Sequence, residues 1–183
     1  MLNTEKSVNS EKFSLFKDKG ISTIEIIIVV AIITVALTSL LGVLSFSLNI
    51  ATLTKETNQA NFLAQETVEA VRNFRDGTIW DTDGVGVLAT STSYHPEKSG
   101  SPLRWTFPLP PDPPNGEETI GGFTRGVIFE KVSRDPTDYD IEEIYNSSND
   151  DSDTRKVIVN ISWEFQGKTK NVELVTYLTN WKQ

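Results

Sequence analysis

The feature that most constrains this chain is an uncharged run of 23 residues from Ile26 to Leu48, built of Ile, Val, Leu and Ala with Thr, Ser, Gly and a Phe between them. As an α-helix such a run rises about 34 Å, enough to cross the ~30 Å hydrocarbon core of a bilayer. A cleavable secretory signal differs: its apolar stretch is about 7–15 residues long and is followed by a small-residue cleavage site. Leu48-Asn49-Ile50-Ala51 offers no such site. The run is therefore expected to span a membrane. Lys17 and Lys19 flank it on its N-terminal side. The positive-inside rule then puts the N-terminus in the cytoplasm and residues 49 to 183 outside, as a single-pass cytoplasmic membrane protein.

With 183 residues there is room for one modest folded domain besides the span. The net charge of -8 lies mostly beyond residue 48. No direct nucleic-acid partner is expected for an acidic body, because phosphate contacts need clustered Lys and Arg. The absence of cysteine removes disulfides, thiolate metal sites and cysteine nucleophiles together.

Glu25 stands at the very start of the apolar run, in Gly20-Ile21-Ser22-Thr23-Ile24-Glu25-Ile26. A carboxylate inside hydrocarbon costs ~2.5–3.5 kcal/mol on insertion scales, and an ionisable group there calls for a partner. That partner should be cationic. If the chain is cut after Gly20, Ile21 becomes an N-terminus whose ammonium can pair with Glu25 of a neighbouring subunit. Leaving either charge alone is costly, so the pair would set axial register between subunits. A Glu merely touching headgroups at the membrane surface is the plainer alternative.

Lys19-Gly20, the short step to Glu25 and the long apolar helix together resemble the signal of type IV prepilins and type II secretion pseudopilins. The resemblance covers about 30 residues at the start of the chain. It implies that a prepilin peptidase cuts between Gly20 and Ile21 on the cytoplasmic face, that Ile21 is the mature first residue and a candidate for N-methylation, and that Glu25 is the assembly glutamate. Family members more often begin with Phe or Met. The resemblance further implies an assembly platform protein and ATPase, other pilin or pseudopilin subunits as partners, membrane lipid before assembly, and a final cell-surface or periplasmic filament serving a pilus, protein secretion or DNA uptake. Many type IV pilins carry Pro where this chain has Gly42, a site of local softness or of close helix packing.

Beyond the span, Ile50, Leu53, Thr57, Ala60, Ala64, Thr67, Val71 and Phe74 recur at alternating steps of three and four, the stripe of an amphipathic helix. Asp76-Gly77 ends it. The expected organisation is a leader at 1–20, a transmembrane or filament-core helix at 21–48, its amphipathic continuation at 49–76, and a β-rich domain at 77–183. Within that domain Val85–Ala89 and Leu103–Phe107 read as extended pieces, and a Pro-rich loop at 108–116 reads as a stiff surface segment. Phe123, Arg125, Val127 and Phe129 alternate as a strand. Val157, Val159, Ile161, Trp163 and Phe165 alternate as another, and Gln166-Gly167-Lys168 turns into a return strand toward Trp181. The fold class is α+β and pilin-like, a long N-terminal helix packed on a C-terminal antiparallel β-sheet.

No catalytic residues are expected. His95 is the only histidine, and nothing around it resembles a nucleophile turn. Gly84-Val85-Gly86 lacks a following helix signature and so is not read as a phosphate loop. No cofactor is expected, with calcium as the one open candidate, because Asp150, Asp151 and Asp153 offer oxygen ligands on a loop before the last hairpin. Asn146-Ser147-Ser148 and Asn160-Ile161-Ser162 fit the glycosylation pattern. The function expected is that of a non-enzymatic minor pilin or pseudopilin. The alternative is a singly anchored surface binding module or a filament-tip adhesin. N-terminal sequencing of the membrane fraction separates them: with a prepilin peptidase present the chain should begin at Ile21, whereas an intact Met1 would favour the anchored module.

Overall fold

The computed structural model describes residues 22–108 and 116–181. Gly20, Ile21 and most of the Pro-rich loop lie outside the described residues. The fold is α+β, with helix α1 (Thr23–Gly77) preceding an antiparallel sheet. The chain divides into two compact units, Met1–Asn49 and Ile50–Gln183.

In the first unit every residue of α1 is exposed. Its β-branched residues are poor intrinsic helix formers, yet a helix satisfies its own backbone groups, which a mostly apolar stretch with few polar side chains to do so requires. The hydroxyls follow the same logic. Thr34 Oγ1 donates to Val30 O at 2.7 Å, Thr38 Oγ1 to Thr34 O at 3.0 Å and Ser39 Oγ to Val35 O at 2.9 Å.

In the second unit α1 buries Ala60, Ala64, Thr67, Val68, Ala70, Val71 and Phe74. The expected stripe is buried from Ala60 onward, half-buried at Leu53 and Thr57, and exposed at Ile50. Ala60, Ala64 and Ala70 are fully buried and share one core with the sheet. Thr78 Oγ1 donates to Phe74 O at 2.6 Å and satisfies one of the terminal carbonyls.

Strands β1 (Ser93–Tyr94), β2 (Glu97–Ser99), β3 (Arg104–Thr106), β4 (Glu118–Ile120), β5 (Phe123–Ser133), β6 (Asp150–Phe165) and β7 (Lys168–Thr179) follow. The main sheet runs β1-β5-β6-β7, with β4 also on β5, and β2 and β3 form a separate hairpin. Phe123 faces Trp163, Val127 faces Val159 and Phe129 faces Val157 across β5 and β6. All six are buried, so this is the face that meets α1. Burying each such side chain contributes about 1.5–3 kcal/mol. Phe107 stacks edge-on with both Phe74 and Phe129, at 5.2 and 5.7 Å between ring centroids, and so ties helix to sheet. The C-terminal hairpin is the expected one. Gln166 and Gly167 both have positive φ, 52° and 71°, as a two-residue turn matched to strand twist requires.

Two expectations are corrected. Val85–Ala89 is not extended, since Val85–Val87 is a 3-10 turn. It wraps the Trp80 indole, with Gly86 N donating to Trp80 O at 3.0 Å. A Cβ on Gly86 would sit 2.6 Å from the indole ring, so the glycine serves close approach. In addition, β6 begins at Asp150, so the acidic cluster lies within a strand rather than on a loop before it. Val132 and Ser133 of β5 pair with Asp151 and Asp150 and draw the cluster into the ladder, across a register shift at Lys131/Val132.

Gly86→Ala should therefore destabilise the domain by about 1–3 kcal/mol through overpacking against Trp80, read as a lowered midpoint in urea denaturation.

Candidate functional site

Glu25 occupies the first turn of α1. Ser22 O accepts from Glu25 N at 2.9 Å and from Ile26 N at 3.2 Å, so the helix starts immediately before Thr23. A carboxylate in a first turn faces unsatisfied N–H groups and the positive end of the helix dipole, which stabilises its charge. Along α1 the next charged residue is Lys55. Between the two lie Ile26 to Thr54, with side chains such as Ile32, Leu40 and Phe46 each about two-thirds exposed, at 64, 64 and 66 %. This helix is long and apolar enough to cross a membrane, and it lies near the N-terminus. Among the described residues, α1 thus carries one carboxylate in its first turn, ahead of an exposed apolar stretch. Gly42 lies in the unbroken helix, with open space where a Cβ would stand.

The aspartates proposed as calcium ligands are all engaged by the protein. Asp150 Oδ1 accepts from the Tyr145 hydroxyl at 2.8 Å, and its other oxygen lies 3.9 Å from Lys131 Nζ. Asp153 Oδ1 accepts from Asn180 Nδ2 at 3.0 Å, and Asp153 O accepts from Asn180 N at 2.7 Å, which anchors the end of the last strand. Asp151 accepts from Arg134 Nε at 2.6 Å and from Asp153 N at 3.1 Å. Among the described residues no group of three His, Cys, Asp or Glu side chains is placed to hold a metal.

His95 is buried, and its Nδ1 has no hydrogen-bond partner among the described residues. Asn146 is exposed, and its Oδ1 accepts from Ser148 N at 3.1 Å, whereas Asn160 lies inside β6.

Sequence reasoning missed the polar ties between helix and sheet. Trp163 Nε1 donates to Glu56 Oε2 at 3.0 Å. Arg125, 4 % exposed, pairs with Glu118 beside it on β4, and its Nη1 lies 3.9 Å from Glu66 of α1. Arg155, also buried, donates to Gly86 O at 3.1 Å and holds the 3-10 turn on β6. A signal for Arg125 was present, because it takes the apolar phase between Phe123 and Val127. The acids that answer it are far apart in sequence.

Burial opposes charge on Asp151, but donation by Thr154, Arg134 and the Asp153 N–H, with the Arg134 charge, outweighs it and holds the carboxyl below the ordinary 3.8. A depressed carboxyl stabilises the fold fully above its unfolded value and loses that contribution as pH falls through the folded one. Asp151→Asn should thus cost about 1–3 kcal/mol at pH 7, with the gap to wild type closing below about pH 4, as read from denaturation midpoints across pH. Comparison with known proteins returns no matching family model, no matching curated protein and no matching solved structure.

Proposed function

We propose that this chain is a non-enzymatic structural subunit, a minor pilin or pseudopilin, of a type IV pilus or type II secretion-like filament. The observation that carries the reading is Glu25 at the head of an exposed apolar helix, five residues beyond Gly20. On this reading a prepilin peptidase cuts after Gly20, and the platform protein and ATPase lift the subunit from the bilayer. Packing between helices then replaces lipid contacts around residues 26 to 54. Each Glu25 meets the ammonium of a neighbouring Ile21, so cleavage creates the cation that assembly consumes. N-terminus in the cytoplasm and domain outside is the orientation this requires.

Support for the reading comes from the combination rather than from any one part. A singly anchored module needs a span but has no use for a carboxylate at its head, nor for a glycine five residues before that. Glu25→Ala should leave cleavage at Gly20 unchanged while lowering incorporation into sheared filaments by roughly tenfold or more, since stranding one partner of a buried ion pair costs about 3–5 kcal/mol. Filaments holding the variant at wild-type levels would refute the charge-pair account.

A further inference from the structure

The end of α1 and the end of β7 bring two tryptophans to one cleft. Trp80 follows the Asp76-Gly77 stop and is buried, with its Nε1 donating to Ser152 O at 3.1 Å. Trp181 stands just past β7 and is 62 % exposed. An indole left in water beside polar groups is a surface that a ligand can cover. Both residues line a cleft of about 150 Å³, together with Arg75, Ile79, Asp81 and Asn180. That volume is well below the ~300 Å³ at which sites for drug-sized ligands begin, so a single small ring is what it accommodates.

Bonds among its own walls hold the cleft in shape. Trp181 Nε1 donates to Asp76 Oδ1 at 3.3 Å and Arg75 Nε donates to the same oxygen at 2.9 Å, so the helix end orients the exposed indole. Asn180 N donates to Asp153 O at 2.7 Å and Asn180 Nδ2 to Asp153 Oδ1 at 3.0 Å. On the other wall Ile79 O accepts from Thr82 N and Asp83 N, each at 3.1 Å, and Ile79 N donates to Asp83 Oδ1 at 2.8 Å. This turn leaves the Ile79 side chain 67 % exposed. Walls fixed beforehand lose little freedom when a ligand enters.

The groups left over select the ligand. Arg75 Nη1 and Nη2, the Asp81 carboxylate and Asn180 Oδ1 make no hydrogen bond among the described residues. Arg75 stands against Asp76 and Asp81, so no excess positive charge draws an anion, and its guanidinium opposes a cation. The cleft therefore offers donors, acceptors and an apolar face together, without a dominant charge. A hydroxyl both donates and accepts. A ring with hydroxyls on its rim and C–H groups on its face answers all three. We propose that this cleft binds one ring of a neutral saccharide, its C–H face on Trp181 beside Ile79, its hydroxyls accepting from Arg75 and donating to Asp81 and Asn180. All of these residues belong to one compact unit, so binding needs no filament.

The full chain, held in a detergent without sugar headgroups, should show NMR saturation transfer to at least one of methyl glucoside, methyl galactoside, methyl mannoside and N-acetylglucosamine. Transfer should be strongest at ring C–H protons, with a Kd of about 1 mM, as fits so small a ligand. Trp181→Ala should weaken binding roughly tenfold by removing the platform. Asp81→Ala should weaken it by about as much, and because Asp81 makes no hydrogen bond within the described residues its loss leaves the fold, read from the urea midpoint, unchanged. Phe62→Ala alters another exposed apolar side chain, about 20 Å away along α1, and should bind as wild type does. Transfer to none of the four sugars, or binding that survives both cleft substitutions, would overturn the proposal. So would methyl glucuronide binding more tightly than methyl glucoside.

Discussion

An apolar helix face gains nothing from water, and in this molecule α1 from Ile26 onward is uncharged, mostly apolar and uncovered until Leu53. Everything else must be compatible with keeping that surface out of solvent. Lipid meets the requirement for a single chain, and neighbouring helices meet it for many. The hydroxyls of Thr34, Thr38 and Ser39 are turned back onto their own helix, so these three donors stay paired in either environment. Glu25 is the one charged residue among residues 22–54, and its position at the helix start is where a carboxylate is best tolerated.

The same helix has a second task beyond Ile50, and its composition changes to suit. Buried Ala60, Ala64 and Ala70 replace the bulky residues of the first half, and Phe74, Phe107 and Phe129 interlock edge-to-face beside them. Polar ties then give this packing a register. Glu56 on Trp163 and Glu66 near Arg125 lie ten residues apart on α1 and contact adjacent strands, which limits sliding of the helix along the sheet. Arg125 is the costlier device, because a buried guanidinium without its acids would carry a full desolvation penalty. Its role as a register pin accounts for a cation among Phe123, Val127 and Phe129.

Much of this was legible in the residues. The apolar run, the stripe from Ala60 to Phe74 and the alternations in β5 and β6 announce helix and strands because periods of 3.6 and 2 map directly onto one buried face. The Gln166-Gly167 turn is a local matter of positive φ, so it too is visible. The turn at Val85–Val87 and the true start of β6 were not. Val85 to Ala89 has the composition of a strand, and only contact with Trp80 bends it. Asp150 to Asp153 has the composition of a loop, and only pairing with Val132 and Ser133 makes it a strand.

By itself, then, the sequence determined a helix long and apolar enough to cross a membrane, the isolated position of Glu25 and the α+β pattern, because hydrophobic periodicity and charge placement act along the chain. The tertiary structure decided which acids meet Arg125 and Trp163, where each aspartate of the acidic cluster goes, and which strand is left at the sheet's edge. Those outcomes depend on residues brought together from distant positions, and neither spacing nor composition encodes them.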